Sequence, residues 1–95
     1  MAKPKGYANV WDALEDDPVE RASLTLRSDL MIVLEETVER WKVTQKEAAS
    51  RLGITQPRLS DLLKGKISKF SVDALVDLAT RAGLSVTIKI KKQAA

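Results

Sequence analysis

The 95-residue sequence contains no cysteine and no histidine. That excludes a disulfide framework and all but excludes a zinc or thiol-based site, because carboxylates alone rarely build one. Aromatic residues are scarce, two Trp, one Tyr and one Phe, with only three prolines and four glycines. No apolar run approaches the roughly 20 residues of a membrane span; the longest lies around Leu30 to Leu34. The first residues form no apolar signal region, so a cytoplasmic location and no membrane partner are expected. The marks of an enzyme are missing too: no glycine-rich phosphate loop, and no paired carboxylates in apolar surroundings. Asp16-Asp17 stands before Pro18 and reads as a helix cap rather than a catalytic pair. No cofactor and no small-molecule substrate are expected.

What remains is ordinary globular material, 44% hydrophobic, enough for one domain with one modest core. Its most informative stretch is residues 44 to 65, TQKEAASRLGITQPRLSDLLKG. Thr44 and Glu47 have the spacing of a capping box at a helix start, and Thr55 has the chemistry to cap a second helix. Counting from Gln45, the fifth residue is Ala49, small enough to let two helices touch. The ninth is Gly53, able to take the positive φ of a tight turn. The fifteenth is Leu59, placed to plug the angle between the helices. Ala48, Leu52, Ile54 and Leu62 fill the other inward positions. Three such residues could coincide by chance, but their agreement with four further apolar positions and two caps points to a DNA-binding helix-turn-helix.

The rest of the chain supports one small helical domain. Met1 to Gly6 has the composition of a loose tail, and residues 7 to 15 could form one or two helical turns with Tyr7, Val10, Trp11 and Leu14 on one side. Asp17-Pro18 is a helix-start signal. From there no breaker occurs before Trp41, so one long helix, or two recapped at Ser28-Asp29, is expected. Leu30, Leu34, Val38 and Trp41 recur at helical spacing, widened by Met31 and Ile32. Gly65 stops the recognition helix, a basic loop KISKF follows over 66 to 70, and Ser71 caps a last helix ended by Gly83. Five helices, four of them in the compact part, account for the pattern. Residues 85 to 91, SVTIKIK, switch to strand spacing, with Val86, Ile88 and Ile90 on one side. A lone strand in a helical chain calls for a partner, most economically the same strand of a second copy, although a tail lying on the helices would also fit.

Charge is divided along the chain. Residues 1 to 39 hold nine acids against four bases, a net of minus 5, and residues 40 to 95 hold twelve bases against four acids, a net of plus 8. The basic part suits double-stranded DNA and the acidic part should face elsewhere. A helix-turn-helix enters the major groove by the N-terminal end of its second helix. Gln56 can bond adenine N6 and N7, and Arg58 can bond guanine O6 and N7 or settle on a phosphate. The Pro57 ring could touch a thymine methyl. Asp61 either accepts from cytosine N4 or repels phosphate and narrows the choice of site. Gln45 at the first helix start, Thr55, Ser60, and Lys64, Lys66 and Lys69 after the second helix are the candidate phosphate contacts. One unit covers about half a turn of groove, so a homodimer on a palindromic operator is expected.

With these residues in place, TQKEAASRLGITQPRLSDLLKGK followed by a capped helix and LSVTIKIK resembles the Xre/Cro family of helix-turn-helix repressors. Taken with VWDALEDDPVERASLTLRSDLM, it resembles more narrowly the small HigA-type antitoxins. That resemblance covers roughly residues 8 to 91. It implies an all-α, five-helix, lambda-repressor-like domain, here with a C-terminal β-strand pairing across a dimer, and a promoter operator as target. The divisions expected are a mobile acidic segment over 1–17, the DNA-binding domain over 18–84, and the strand and tail over 85–95. The antitoxin resemblance further implies a repressor of its own operon that neutralises a small basic RelE-like toxin. Trp11, Leu14, Asp16, Asp17 and Glu20 offer an acidic, partly apolar surface for such a partner. Competing readings are a stand-alone regulator without a toxin and an interaction module that no longer binds DNA. Long polar donors at Gln45, Gln56 and Arg58 argue against the latter.

Overall fold

Asp17 and Pro18 open the first helix as their chemistry dictates. The computed structural model describes residues 17–92, and there the Asp17 carboxylate accepts from the amides of Val19 and Glu20 at 3.0 and 3.4 Å. Pro18 follows in the first turn, where its missing N–H costs nothing. Helix α1 then runs unbroken over Pro18–Trp41. Of the two possibilities the single long helix forms: Ser28 and Asp29 lie within it, and neither breaks a helix that packing holds on both sides. Its buried stripe is Leu24, Met31, Leu34, Thr37 and Val38. Thr37 satisfies its hydroxyl by donating to the Val33 carbonyl at 2.8 Å. Ile32 leaves the stripe and is exposed, because one residue beyond Met31 is a 100° step round the helix.

Three short helices complete the domain: α2 (Gln45–Leu52), α3 (Gln56–Leu63) and α4 (Val72–Arg81), with a 3-10 turn (Ile67–Lys69) between the last two. α1 packs against α4, α3 and the 3-10 turn, while α2 packs against α3 and α4. Their shared core is built on Leu34, Leu52, Leu59, Leu62, Phe70 and Leu75, all fully buried. Each such side chain contributes about 1.5–3 kcal/mol relative to exposure. The inward positions of the helix-turn-helix, Ala48, Ala49, Leu52, Leu59 and Leu62, are all buried, and Ile54 packs at the edge.

Two expectations are corrected. The described residues contain four α-helices and no strand, in place of a five-helix domain with a C-terminal β-strand. The turns expected over residues 7 to 15 lie outside the described residues. Over residues 84–92 the chain is neither helical nor part of a ladder, so Val86, Ile88 and Ile90 do not form the dimer strand expected of them. The alternation there has an intrachain use instead. Leu84 and Val86 pack against the core, and with Leu26, Leu30, Val33 and Ala79 they line an apolar groove beside α1. Ile88 also lines this groove but is 52% exposed, and Ile90, further out, is 89% exposed. Period-two spacing alone satisfies no N–H or C=O; a strand needs a neighbour to pair with, whereas a tail needs only an apolar surface to lie on.

Candidate nucleic-acid interface

Local chemistry sets the two helices of the motif. The Thr44 hydroxyl accepts from the Glu47 amide at 3.1 Å, leaving the Gln45 and Lys46 amides at the start of α2 with no intrahelical acceptor. The reciprocal half of the expected capping box is not made, because the Glu47 carboxylate pairs with Arg51 one turn on, at 3.2 Å. At the turn, Gly53 has φ +70°. Its N–H donates to the Ser50 carbonyl at 3.1 Å and the Ile54 N–H donates to Ala49 at 3.0 Å, the paired closure of a helix ending in a left-handed residue. The Thr55 hydroxyl then accepts from the Arg58 amide at 3.2 Å and starts α3.

The leading turn of α3 presents Thr55, Gln56 and Pro57 to solvent, with Arg58, Ser60 and Asp61 half-buried. α3 ends like α2: the Lys66 N–H donates to Asp61 and the Gly65 N–H to Leu62, at 3.1 and 3.0 Å. Gly65, at φ +72°, thereby turns the basic loop back beside the helix it has just left. That return gathers several predicted site residues into one cluster. Asp61 pairs with Lys66 at 3.3 Å and with Lys69 at 3.7 Å. The hydrogen bond from Lys66, with the Lys69 charge behind it, holds the Asp61 carboxyl below the usual aspartate range despite some desolvation. Arg58 Nη1 donates to the Lys69 carbonyl at 2.8 Å, and its guanidinium carbon lies 4.0 Å from the centre of the Phe70 ring, within cation–π range.

The other predicted residues lie apart from this cluster. Gln45 is exposed at the first position of α2, and Lys64 is exposed just past α3. Asp17 and Glu20 are exposed at the start of α1, with Asp17 engaged as its cap. Trp11, Leu14 and Asp16 lie outside the described residues. Sequence reasoning missed Phe70, the Lys69 carbonyl and Arg27, which reaches across from α1 so that its Nη1 donates to the Ile67 and Phe70 carbonyls at 3.1 and 3.4 Å. One signal was available: Phe70 is the sole phenylalanine and sits in a basic loop, where a large apolar ring has no reason to be unless it is buried.

An exposed polar helix start seated on a second helix through a glycine turn, with a basic loop beside it, defines a helix-turn-helix DNA-binding domain. Residues 13–91 match a family model described as a helix-turn-helix domain. A solved structure described as an XRE-family transcriptional regulator is similar at a TM-score of 0.69 and 34% identity, over 75% of this chain and 80% of that one. No match was found among curated proteins. The chain belongs to this helix-turn-helix family and is an Xre-type DNA-binding regulator of transcription. No helix of the described residues is long and apolar enough to cross a membrane.

Proposed function

We propose that the protein is a repressor that binds a palindromic operator as a homodimer, with α3 reading the major groove, and that it is the antitoxin of its own operon. The observation that carries the DNA half is the leading turn of α3, where Gln56 and Pro57 are exposed and unengaged beside the basic loop. Gln56, Pro57, Arg58 and Asp61 are the base-reading candidates. Gln45, Thr55, Ser60, Lys64, Lys66 and Lys69 hold phosphates. Two copies would place their α3 helices about 34 Å apart on successive turns of one DNA face. Resemblance to HigA-type antitoxins supports the toxin half, together with the net minus 5 of residues 1 to 39, which suits a small basic RelE-like partner.

Footprinting on the promoter upstream of the gene tests the first half. Two protected half-sites about one helical turn apart are expected, and protection of random duplex to the same degree would remove the operator reading. Arg58→Ala should weaken operator binding by about 1–3 kcal/mol and relax one base preference. Coexpression with the neighbouring reading frame tests the second half. A stable complex and rescued growth are expected, and the absence of both would sink the antitoxin role.

A further inference from the structure

Arg58 is a base-reading candidate whose guanidinium is already held on one side. Its Nη1 is tied to the Lys69 carbonyl at 2.8 Å and its flat face lies on Phe70. A guanidinium has five N–H donors in a rigid fork. One bond at Nη1 leaves the opposite edge, Nε–H with Nη2–H, without a protein acceptor among the described residues. That edge is a parallel pair of donors, which matches guanine O6 and N7. The carboxylate best able to cover it is Asp61, three residues on and therefore on the same face of α3. Asp61 is instead occupied by Lys66 and Lys69.

The support under Arg58 is itself fixed. Phe70 is 1% exposed, its ring part of the core, and its carbonyl accepts from Arg27 on α1. The loop is thus pinned by Arg27 on one side and by the Asp61 pairs on the other. A stacked side chain held at one end has lost its rotamer freedom before DNA arrives, and preorganised contacts gain affinity by avoiding that loss on binding.

We infer that Phe70 and the Lys69 carbonyl are positioning groups for base reading: they hold Arg58 so that its free Nε/Nη2 edge reads one guanine per half-site. This rests on α3 being the groove-reading helix. The alternative is that Arg58 only ties the loop to α3 and reads nothing.

The test uses the full chain and a duplex enriched from a random-sequence pool by the wild-type protein. Each guanine of the duplex is replaced in turn by 7-deazaguanine, which lacks the N7 acceptor. Wild type should lose about 5-fold or more at one guanine per half-site, the lower end of the range of a bidentate contact, because O6 remains. Phe70→Leu keeps an apolar side chain in the core but removes the ring face, and Arg58→Lys keeps the charge but removes the fork. Both should show less than about threefold discrimination at that guanine with the salt slope of wild type, and the double variant should lose no more than either. Should Phe70→Leu weaken selected and random duplexes equally with guanine discrimination intact, Phe70 is a core residue only and the inference fails. Should Phe70→Leu not fold, the wild-type Arg58 Nε–H resonance decides. Its NOE to the Phe70 ring protons should be present in the free protein and persist on the selected duplex, whereas loss of that NOE on binding would mean that Arg58 leaves the ring to read DNA and would overturn the inference. A wild type that enriches no duplex would bring down the operator reading itself, a result distinct from enrichment without guanine discrimination.

Discussion

At the scale of single residues, some charged side chains hold the basic loop in place and at least one works against the fold. Glu35 belongs to the second kind. Partial burial, reinforced by Glu39 and Glu36, raises its pKa above the ordinary glutamate value. Folded protein therefore binds a proton more readily there than unfolded chain, so stability falls as pH rises from about 4 through the raised pKa, and stays lowered at neutrality. Glu35→Gln removes both the desolvated charge and a like-charge i,i+4 pair, the latter costing about 0.2–0.5 kcal/mol. Melting at neutral pH should rise by about 1–3 °C, and the gap between the two proteins should close near pH 4. A gap that persists at low pH would show that the gain is not electrostatic. Asp61 has the opposite sign. Its lowered pKa means that its ion pairs are intact above the ordinary aspartate value of about 3.9 and weaken only as pH falls through the lower folded one, so it contributes no pH dependence near neutrality.

At the scale of elements, what was legible in the sequence was whatever is decided within a few residues. Caps at Asp17, Thr44, Thr55 and Ser71 and the glycine turns announce themselves because the groups that make them are neighbours in the chain. The inward positions of the motif follow from helical period for the same reason. The tail was misread because alternation states which side chains share a face but not what covers that face. The support that Phe70 gives Arg58 is not legible because it depends on Arg27 of α1, more than 40 residues away in sequence. Two element-level outcomes follow from this division. Gly53→Ala forces a Cβ into the left-handed region at φ +70°, where it would also meet Arg81 Nη1 at 2.6 Å. Arg81 is half-exposed and can swing away, so the cost is chiefly conformational, about 1–2 kcal/mol by urea unfolding; an unchanged midpoint would mean that the turn tolerates a different shape. In the tail, Val86→Ser should lower the melting temperature by several degrees, as expected for losing about 1 kcal/mol of apolar burial in a domain of this size. Ile90→Ser, at a position already 89% exposed, should change it by less than about a degree. Equal effects at the two positions would contradict a tail that packs through Leu84 and Val86.

At the scale of the whole molecule, the separation of charge decides how the protein meets DNA. Each lysine that neutralises a phosphate releases a counterion and contributes about −0.9 to the slope of log affinity against log salt. Lys64 stands exposed just past α3, whereas Lys66 and Lys69 share the carboxylate of Asp61. If these lysines hold phosphates as proposed, they must give up part of an existing ion pair to do so, and Asp61 would then lower nonspecific affinity while its pairs keep the loop in place. Removing that carboxylate and removing a lysine should then act in opposite directions. Lys66→Ala should flatten the salt slope by about one unit on every duplex, with the ratio of operator to random affinity nearly unchanged. Asp61→Asn frees both ammonium groups and should raise affinity for random duplex several-fold with a steeper salt slope, while the operator gains less, because a loosened loop holds Arg58 less firmly. The ratio of operator to random affinity, measured by fluorescence anisotropy across a salt series, should therefore fall for Asp61→Asn. If operator and random duplex gained equally, Asp61 would act as a diffuse negative charge and nothing more.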